Sequence, residues 1–245
     1  MSSIFYKLGE KAGRSLKKGQ WLYKSVFGTE EEAIQAEFIL GQELAHKLES
    51  QIARSGDPAQ EQLVQSVGRE LADRLTNSTR RWRFSLLPGD EINAFALPGG
   101  FIYATQSLLQ SCRLSRQEVA FVLGHEIGHV VRGHPFDRVL ADSSLKVVSR
   151  LGRAGGLAGN LAKQTLTKLL RSSYSQDQEL DADLFGLRLM VSAGYPPDGA
   201  ITALRKLQET ASHQPAPLQY FASHPAIDQR VREIEYHIRK KRHTS

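Results

Sequence analysis

Two histidines and a glutamate in the pattern His125-Glu126-Ile127-Gly128-His129 carry the chemistry most directly readable in this chain. On a helix, residues four apart project from one face, one turn apart. Two imidazoles so placed can both reach one zinc ion at about 2.0–2.1 Å. Glu126, beside the first histidine, is then left to hold a water molecule rather than the metal. With 8 His in 245 residues, chance supplies this pattern in only about one to two per cent of such chains. The alternative is a helix that merely happens to carry two hydrogen-bonded histidines. The surroundings argue against it: Val119, Val122, Leu123, Ile127, Val130 and Val131 mark a buried helix. Two imidazoles and a carboxylate are costly to bury there unless something pairs with them.

A catalytic zinc takes three protein ligands and keeps a fourth position open. The extended pattern with a glycine three residues and a histidine six residues after the second histidine is absent, because Arg132 and Pro135 stand there. His134, five residues after His129, is expected to point off the ligand face and to be structural. The third ligand must come from elsewhere, and Glu179-Leu180-Asp181-Ala182-Asp183 is the obvious donor. Glu179 and Asp183 share a helical face, and Gly186 extends that face without a side chain, which allows close helix packing. Glu179 as ligand, with Asp183 accepting a ligand histidine's N–H, fits the usual build of a metal site. The same acidic run also suits a solvated helix start favoured by the helix dipole.

The elements that must hold these residues are mostly helices. Thr29-Glu30-Glu31-Glu32 is a capping box opening a helix with Ile34, Phe38, Leu44, Leu48 and Ile52, ending near Gly56. Asp57-Pro58 caps a second helix with Leu63, Val67, Leu71 and Leu75. The period then changes to alternation. Residues 81–86, 93–97 and 101–105 read as three short strands, separated by Pro88-Gly89 and Pro98-Gly99-Gly100. A second capping box, Ser115 to Glu118, opens a helix expected to run through His134. Residues 143–175 read as two helical pieces around a glycine-punctuated middle. Helices follow from Ser175 to Ala193 and from Asp198 to Thr210. A Pro-containing loop covers 213–222, and a last helix starts at Pro225.

The run His-Glu-Ile-Gly-His followed by Glu-Leu-Asp-Ala-Asp at 179–183 has Asn-Ala-Phe-Ala-Leu-Pro-Gly-Gly upstream at 93–100 and Ser-His-Pro downstream at 223–225. In that order the four motifs resemble the M48 family of zinc metallopeptidases, the CAAX prenyl protease and HtpX group, over about residues 60–236. The resemblance implies an α+β, mainly α, zincin-like (gluzincin) domain with a small three- to four-stranded sheet. It implies one zinc on His125, His129 and Glu179, with Glu126 catalytic and with roles for Asp183, His224 and Arg230 in or beside the site. The chain departs from the integral-membrane members in lacking their transmembrane helices. In the implied mechanism a water activated by zinc attacks the scissile carbonyl, with Glu126 as general base. His224, supported by Arg230, is the expected donor to the carbonyl oxygen. An imidazole that close could also occupy the fourth zinc position and hold a latent state. Asn93, Ala94, Phe95 and Ala96 would form the edge strand beside the zinc, to which an extended substrate adds by main-chain hydrogen bonds. A hairpin strand with no part in binding is the plainer alternative.

Composition is that of an ordinary globular protein: 40% hydrophobic, 24% charged, with mean hydropathy −0.36. Cys112 is the only cysteine, so an intrachain disulfide and any Cys-rich zinc module are excluded. The net charge of +6 is concentrated in a basic amphipathic N-terminal arm, residues 1–28. That arm reads as a helix packed on the core with a solvated basic face, or as one lying on anionic membrane; no nucleic-acid motif accompanies it. A single metallopeptidase domain is expected over 29–238, followed by a frayed basic tail, 239–245. No signal peptide or membrane span is read, so the expected location is cytoplasmic, with peripheral contact at a membrane as the second expectation. The function read is a zinc-dependent endopeptidase acting on extended or unfolded protein segments, in keeping with protein quality control. The rivals are a catalytically silent, chaperone-like zinc protein that binds unfolded chains, a basic membrane- or nucleic-acid-binding module, and a metal hydrolase acting on a non-peptide bond.

Overall fold

The computed structural model describes residues 29–52, 56–142, 159–212, 219–225 and 227–242. The N-terminal arm, the glycine-punctuated stretch 143–158 and most of the expected loop (213–218) lie outside the described residues. Helix α1 spans Glu30–Glu49 and α2 spans Pro58–Ala72. The strands are β1, Arg83–Leu87, β2, Ala94–Leu97, and β3, Phe101–Thr105. Then come α3 (Gln106–Ser111), α4 (Arg116–Val131), α5 (His134–Asp142), α6 (Gly159–Arg171), α7 (Gln176–Ser192), α8 (Asp198–Ser212), α9 (Gln219–Ser223) and α10 (Ile227–Arg242). The fold is α+β and mainly helical, with a three-stranded sheet.

The sheet order is β1-β3-β2, so β3 is central. β1 pairs with it in parallel, Arg83 opposite Phe101, and β2 antiparallel, Ala94 opposite Ala104. Side chains of a strand alternate between faces, and here both faces are covered. Ile102 and Ala104 join Phe84, Leu86, Ala94 and Ala96 in one apolar cluster with α2, α4 and α8. Phe101 and Tyr103 join Leu87 and Leu97 in a second, with α1 and α6. All five residues of β3 are therefore buried, which accounts for its unbroken apolar sequence.

α4 is the axis of the first cluster. Every residue from Glu118 to Val130 is buried, and α2, α7, α8 and β2 pack around it. Each fully buried Val, Leu or Ile contributes about 1.5–3 kcal/mol, enough to offset the cost of a few polar groups on the same helix. Its N-terminus is fixed where the backbone N–H of Ser115 donates to Glu118 Oε2 at 2.6 Å, and Lys206 Nζ reaches the same oxygen at 2.8 Å.

Several boundaries differ from the sequence reading. α1 stops at Glu49 with Ser50 as C-cap, leaving Ile52 beyond it. α4 ends at Val131; Gly133 takes a left-handed turn, φ 75°, and His134 starts a new helix instead of ending the old one. Such a φ is open to glycine at no steric cost. α3 was not foreseen; the Thr105 hydroxyl accepts from the Leu108 N–H at 3.2 Å and starts it. Gln219–Ser223 is helical where a loop was expected. The basic tail is not frayed at its start: Arg239 to Arg242 continue α10, and Arg239 pairs with Glu235 one turn back at 2.9 Å. Cys112 is buried, as expected of a small apolar side chain. No helix among the described residues is long and apolar enough to cross a membrane.

Candidate metal centre

The centre forms where α4 crosses α7 with almost no side chain between them. A Cβ on Gly186 would lie 2.7 Å from the backbone nitrogen of His125, and one on Gly128 would lie 3.0 Å from the carbonyl oxygen of Ala182. Glycine at the crossing lets the two backbones touch. Side chains at the flanking positions, His125 and His129 on α4 and Glu179 and Asp183 on α7, then meet face to face. α7 itself starts where the sequence indicates, with Ser175 and Gln178 capping each other.

One ligand atom each from His125, His129, Glu179 and His224 lies within 4.8 Å of all the others. His125 Nε2 is 3.0 Å from His129 Nε2 and 3.7 Å from Glu179 Oε2. His129 Nε2 is 3.2 Å from Glu179 Oε1. His224 Nδ1 is 3.0 Å from Glu179 Oε1 and 3.3 Å from His125 Nε2. His125, Glu126, His129, Glu179 and His224 are each 0% exposed.

The donor set fits a divalent cation. His125 Nδ1 lies 2.7 Å from Asp183 Oδ1, and a carboxylate only accepts, so that nitrogen carries the proton. With only that proton, the ring turns a bare lone pair on Nε2 toward His129 Nε2. Facing lone pairs beside a carboxylate call for a positive charge among them, and two imidazoles plus one carboxylate is a zinc-type set. Neither carboxylate oxygen of Glu126 has a hydrogen-bond partner, and neither has His224 Nε2. They lie 3.5 Å apart, counting Glu126 Oε1. A buried carboxylate without a hydrogen-bond partner beside such a cluster fits a group kept for a water and a substrate.

Further groups hold the cluster from outside. Arg230 grips Asp183 with two bonds, Nε to Oδ2 at 2.7 Å and Nη2 to Oδ1 at 2.8 Å, and places Nη1 2.8 Å from Glu179 Oε2. Burial alone would raise the Asp183 pKa, but Arg230 and His125 outweigh it and hold the carboxyl below its usual range. For His125, burial and Arg230 press downward while Asp183 and Glu179 prevail and leave its pKa raised. Burial holds His129 far below the ordinary value, which leaves the neutral, ligand-competent ring. Tyr174 stacks on His129 at 3.7 Å, and Tyr220 stacks on His224 at 4.6 Å. The Tyr174 N–H donates to Ser223 O at 3.0 Å, and the Tyr220 N–H to Ile92 O at 3.3 Å. Residues 219–224 thereby lie across the site and against the approach to β2.

The structure thus brings His125, Glu126, His129, Glu179, Asp183, His224 and Arg230 together. Ala94, Phe95 and Ala96 lie on β2, an edge strand packed on α4, and Asn93 immediately precedes it with its side-chain Oδ1 buried and unpartnered. The expectation that His134 points away from the ligands is wrong. Its Nδ1 is 2.9 Å from His129 Nδ1, because the chain turns at Gly133 instead of continuing α4. Tyr174 and Tyr220 were missed altogether; neither stands in a pattern with the ligands, and only the chain's return from α6 and α9 delivers them.

The sequence profile of Peptidase family M48 matches residues 58–238. The chain belongs to that family of metal-dependent peptidases. Relatives include the mitochondrial metalloendopeptidase OMA1 of Schizosaccharomyces pombe, 28% identical over 64% of this chain and 47% of that protein. The Beta-barrel assembly-enhancing protease of Escherichia coli K12 is 26% identical over 91% of this chain and 45% of its own length. Metalloprotease LoiP of the same organism is 32% identical over 59% of this chain and 58% of its own. The chain therefore spans about half the length of these relatives.

Proposed function

We propose that this protein is a zinc-dependent endopeptidase that hydrolyses extended or unfolded protein segments. The observation that carries this reading is the buried, unpartnered carboxylate of Glu126 beside a cluster of two imidazoles and Glu179. A single zinc held by His125, His129 and Glu179 would polarise the scissile carbonyl and bring the pKa of a water down to about 7. Glu126 accepts that water's proton and delivers it to the departing amine. Asp183 keeps the proton of His125 on Nδ1, and Arg230 keeps Asp183 ionised and in place. The Nε2 of His224, buried and unpartnered, faces the same space as Glu126 and suits the carbonyl oxygen as charge develops there.

A substrate in extended form adds to the outer edge of β2, with Asn93, Ala94, Phe95 and Ala96 supplying the register. Main-chain pairing reads backbone before side chains, so unfolded segments are favoured over particular sequences. The name of one relative, the Beta-barrel assembly-enhancing protease of Escherichia coli, ties that protein to β-barrel assembly; for this chain we propose the more general task of removing misfolded chains. Attachment to anionic membrane through residues 1–28 belongs to the same proposal. The presence of His224 Nδ1 within the ligand cluster supports a latent state in which that ring fills the fourth position.

The deciding experiment is zinc analysis together with cleavage of unfolded casein by wild type and Glu126→Gln. The variant should keep one zinc per chain and lose at least about 10²-fold in turnover. Unchanged turnover, or a wild type that neither binds zinc nor cleaves, overturns the proposal. Zinc retained with no cleavage by the wild type in any condition would favour a silent, chain-binding zinc protein instead.

A further inference from the structure

His129 is held differently from His125, and the difference points to His134. Both ligand histidines turn Nε2 inward, so each must give an Nδ1–H to something outside the cluster. For His125 the acceptor is the Asp183 carboxylate. For His129 no carboxylate among the described residues is within reach of Nδ1; the contact is His134 Nδ1 at 2.9 Å. Two ring nitrogens at that distance need one proton between them. A proton on each would set donor against donor, and none would set lone pair against lone pair. Since the Nε2 of His129 is the inward, metal-facing atom, the shared proton sits on His129 and the bare nitrogen on His134.

The rest of α5 serves the same end. Arg138, one turn after His134, lies over the ring of Tyr174 at 3.3 Å and donates from Nη2 to Ser172 O at 2.6 Å. Tyr174 in turn covers the face of His129. The His129 ring is thus fixed at its edge by His134 and across its face by Tyr174, and α5 backs both. The left-handed turn at Gly133 is what aims this helix back at the ligand.

We propose that His134 is a positioning residue for the metal centre: as the Nε2–H tautomer, it accepts the Nδ1–H of His129 and so fixes that ligand's tautomer and ring angle. The assignment rests on the zinc reading above. The test measures zinc affinity of the full chain by chelator competition in wild type, His134→Phe, which keeps the ring without the acceptor, and His134→Asn, which keeps an acceptor oxygen without the ring. The phenylalanine variant should bind zinc about 10- to 100-fold more weakly, and the asparagine variant should stay within about threefold of wild type. Zinc affinity unchanged in folded His134→Phe overturns the assignment, as does a loss in His134→Asn as large as that in His134→Phe. Nitrogen-15 spectra of the zinc-loaded wild type give an independent answer even if a variant fails to fold. They should show the proton of His134 on Nε2; a proton on its Nδ1 overturns the assignment. A wild type that binds no zinc overturns the underlying reading instead, so the two failures are distinguishable.

Discussion

At the scale of single residues, the site is a set of charges that tolerate burial only together. Arg230, Asp183 and Glu179 are 0%, 1% and 0% exposed, and breaking a buried pair typically costs about 3–5 kcal/mol because the surviving charge is stranded. Asp183→Asn should therefore lower stability by about that much in denaturant titration and weaken zinc binding about 10- to 100-fold. A pH dependence belongs here as well. Burial pushes the His134 pKa down to about 3, below the unfolded value near 6.5. The folded ring refuses a proton that the unfolded chain accepts. Stability is therefore intact above about pH 6.5 and declines as pH falls from there toward 3, by up to about 1.4 kcal/mol per unit. In metal-free protein, wild type should lose about 2 kcal/mol more than His134→Asn between pH 7 and 5. Equal losses would show that His134 is not buried as a neutral ring. The proposed ligand histidines were legible because two histidines one turn apart on an apolar helix are hard to explain otherwise. Tyr174 and Tyr220 were not, since a stacked aromatic leaves no spacing signal in a sequence.

At the scale of elements, the close crossing of α4 and α7 is the feature on which the centre depends. Gly186→Ala places a methyl 2.7 Å from the His125 backbone nitrogen, and the helices must part to accept it. Overpacking of this kind costs about 1–3 kcal/mol. Here it should also weaken zinc binding, because Glu179 moves away from both imidazoles; a lower melting temperature with unchanged zinc affinity would contradict this. That Gly186 lies on the ligand face was visible from its spacing to Glu179 and Asp183. The capping boxes at Thr29 and Ser115 likewise gave their helices true starting points, since local hydrogen bonds fix them. Helix ends were read less well. α4 stops at Val131, but Arg132-Gly133-His134-Pro135 offers several ways to stop. Which one is used depends on packing of Phe136 and Val139 in the second cluster, a long-range contact that local pattern does not carry. The parallel pairing of β1 with β3 was illegible for the same reason.

At the scale of the whole molecule, the proposed zinc would join parts of the chain that are far apart in sequence: α4 and α7 through His125, His129 and Glu179, and in the latent form the segment around His224. A ligand at 1,000 times its Kd adds about 4 kcal/mol to stability, and a protein of this size shifts its Tm by about 2–4 °C per kcal/mol. Removing zinc with a chelator should lower the Tm by roughly 8–16 °C, reversibly on adding zinc back. Glu126→Gln should show the same shift, and Glu179→Gln should show little.

The groups of the proposed site are sealed: Glu126 has no exposed surface, and neither has His125, His129, Glu179 or His224. A polypeptide cannot be cut at a place it cannot touch, so the proposed cleavage would require a departure from this resting shape. If the accessible form makes up about one molecule in a hundred, the apparent Kd for substrate is about a hundredfold weaker than the intrinsic one. Cleavage of a short fluorogenic peptide should therefore rise in mild urea, or on gentle warming, well before the fold melts; a rate that only falls would show that the resting shape is already competent. A closed resting form of the proposed peptidase would need no separate inhibitor. The bonds that Tyr174 N–H makes to Ser223 O and Tyr220 N–H to Ile92 O are the ones such an opening would break, so substitutions beside them would shift the balance between closed and open forms while leaving Glu126 and the imidazoles unchanged.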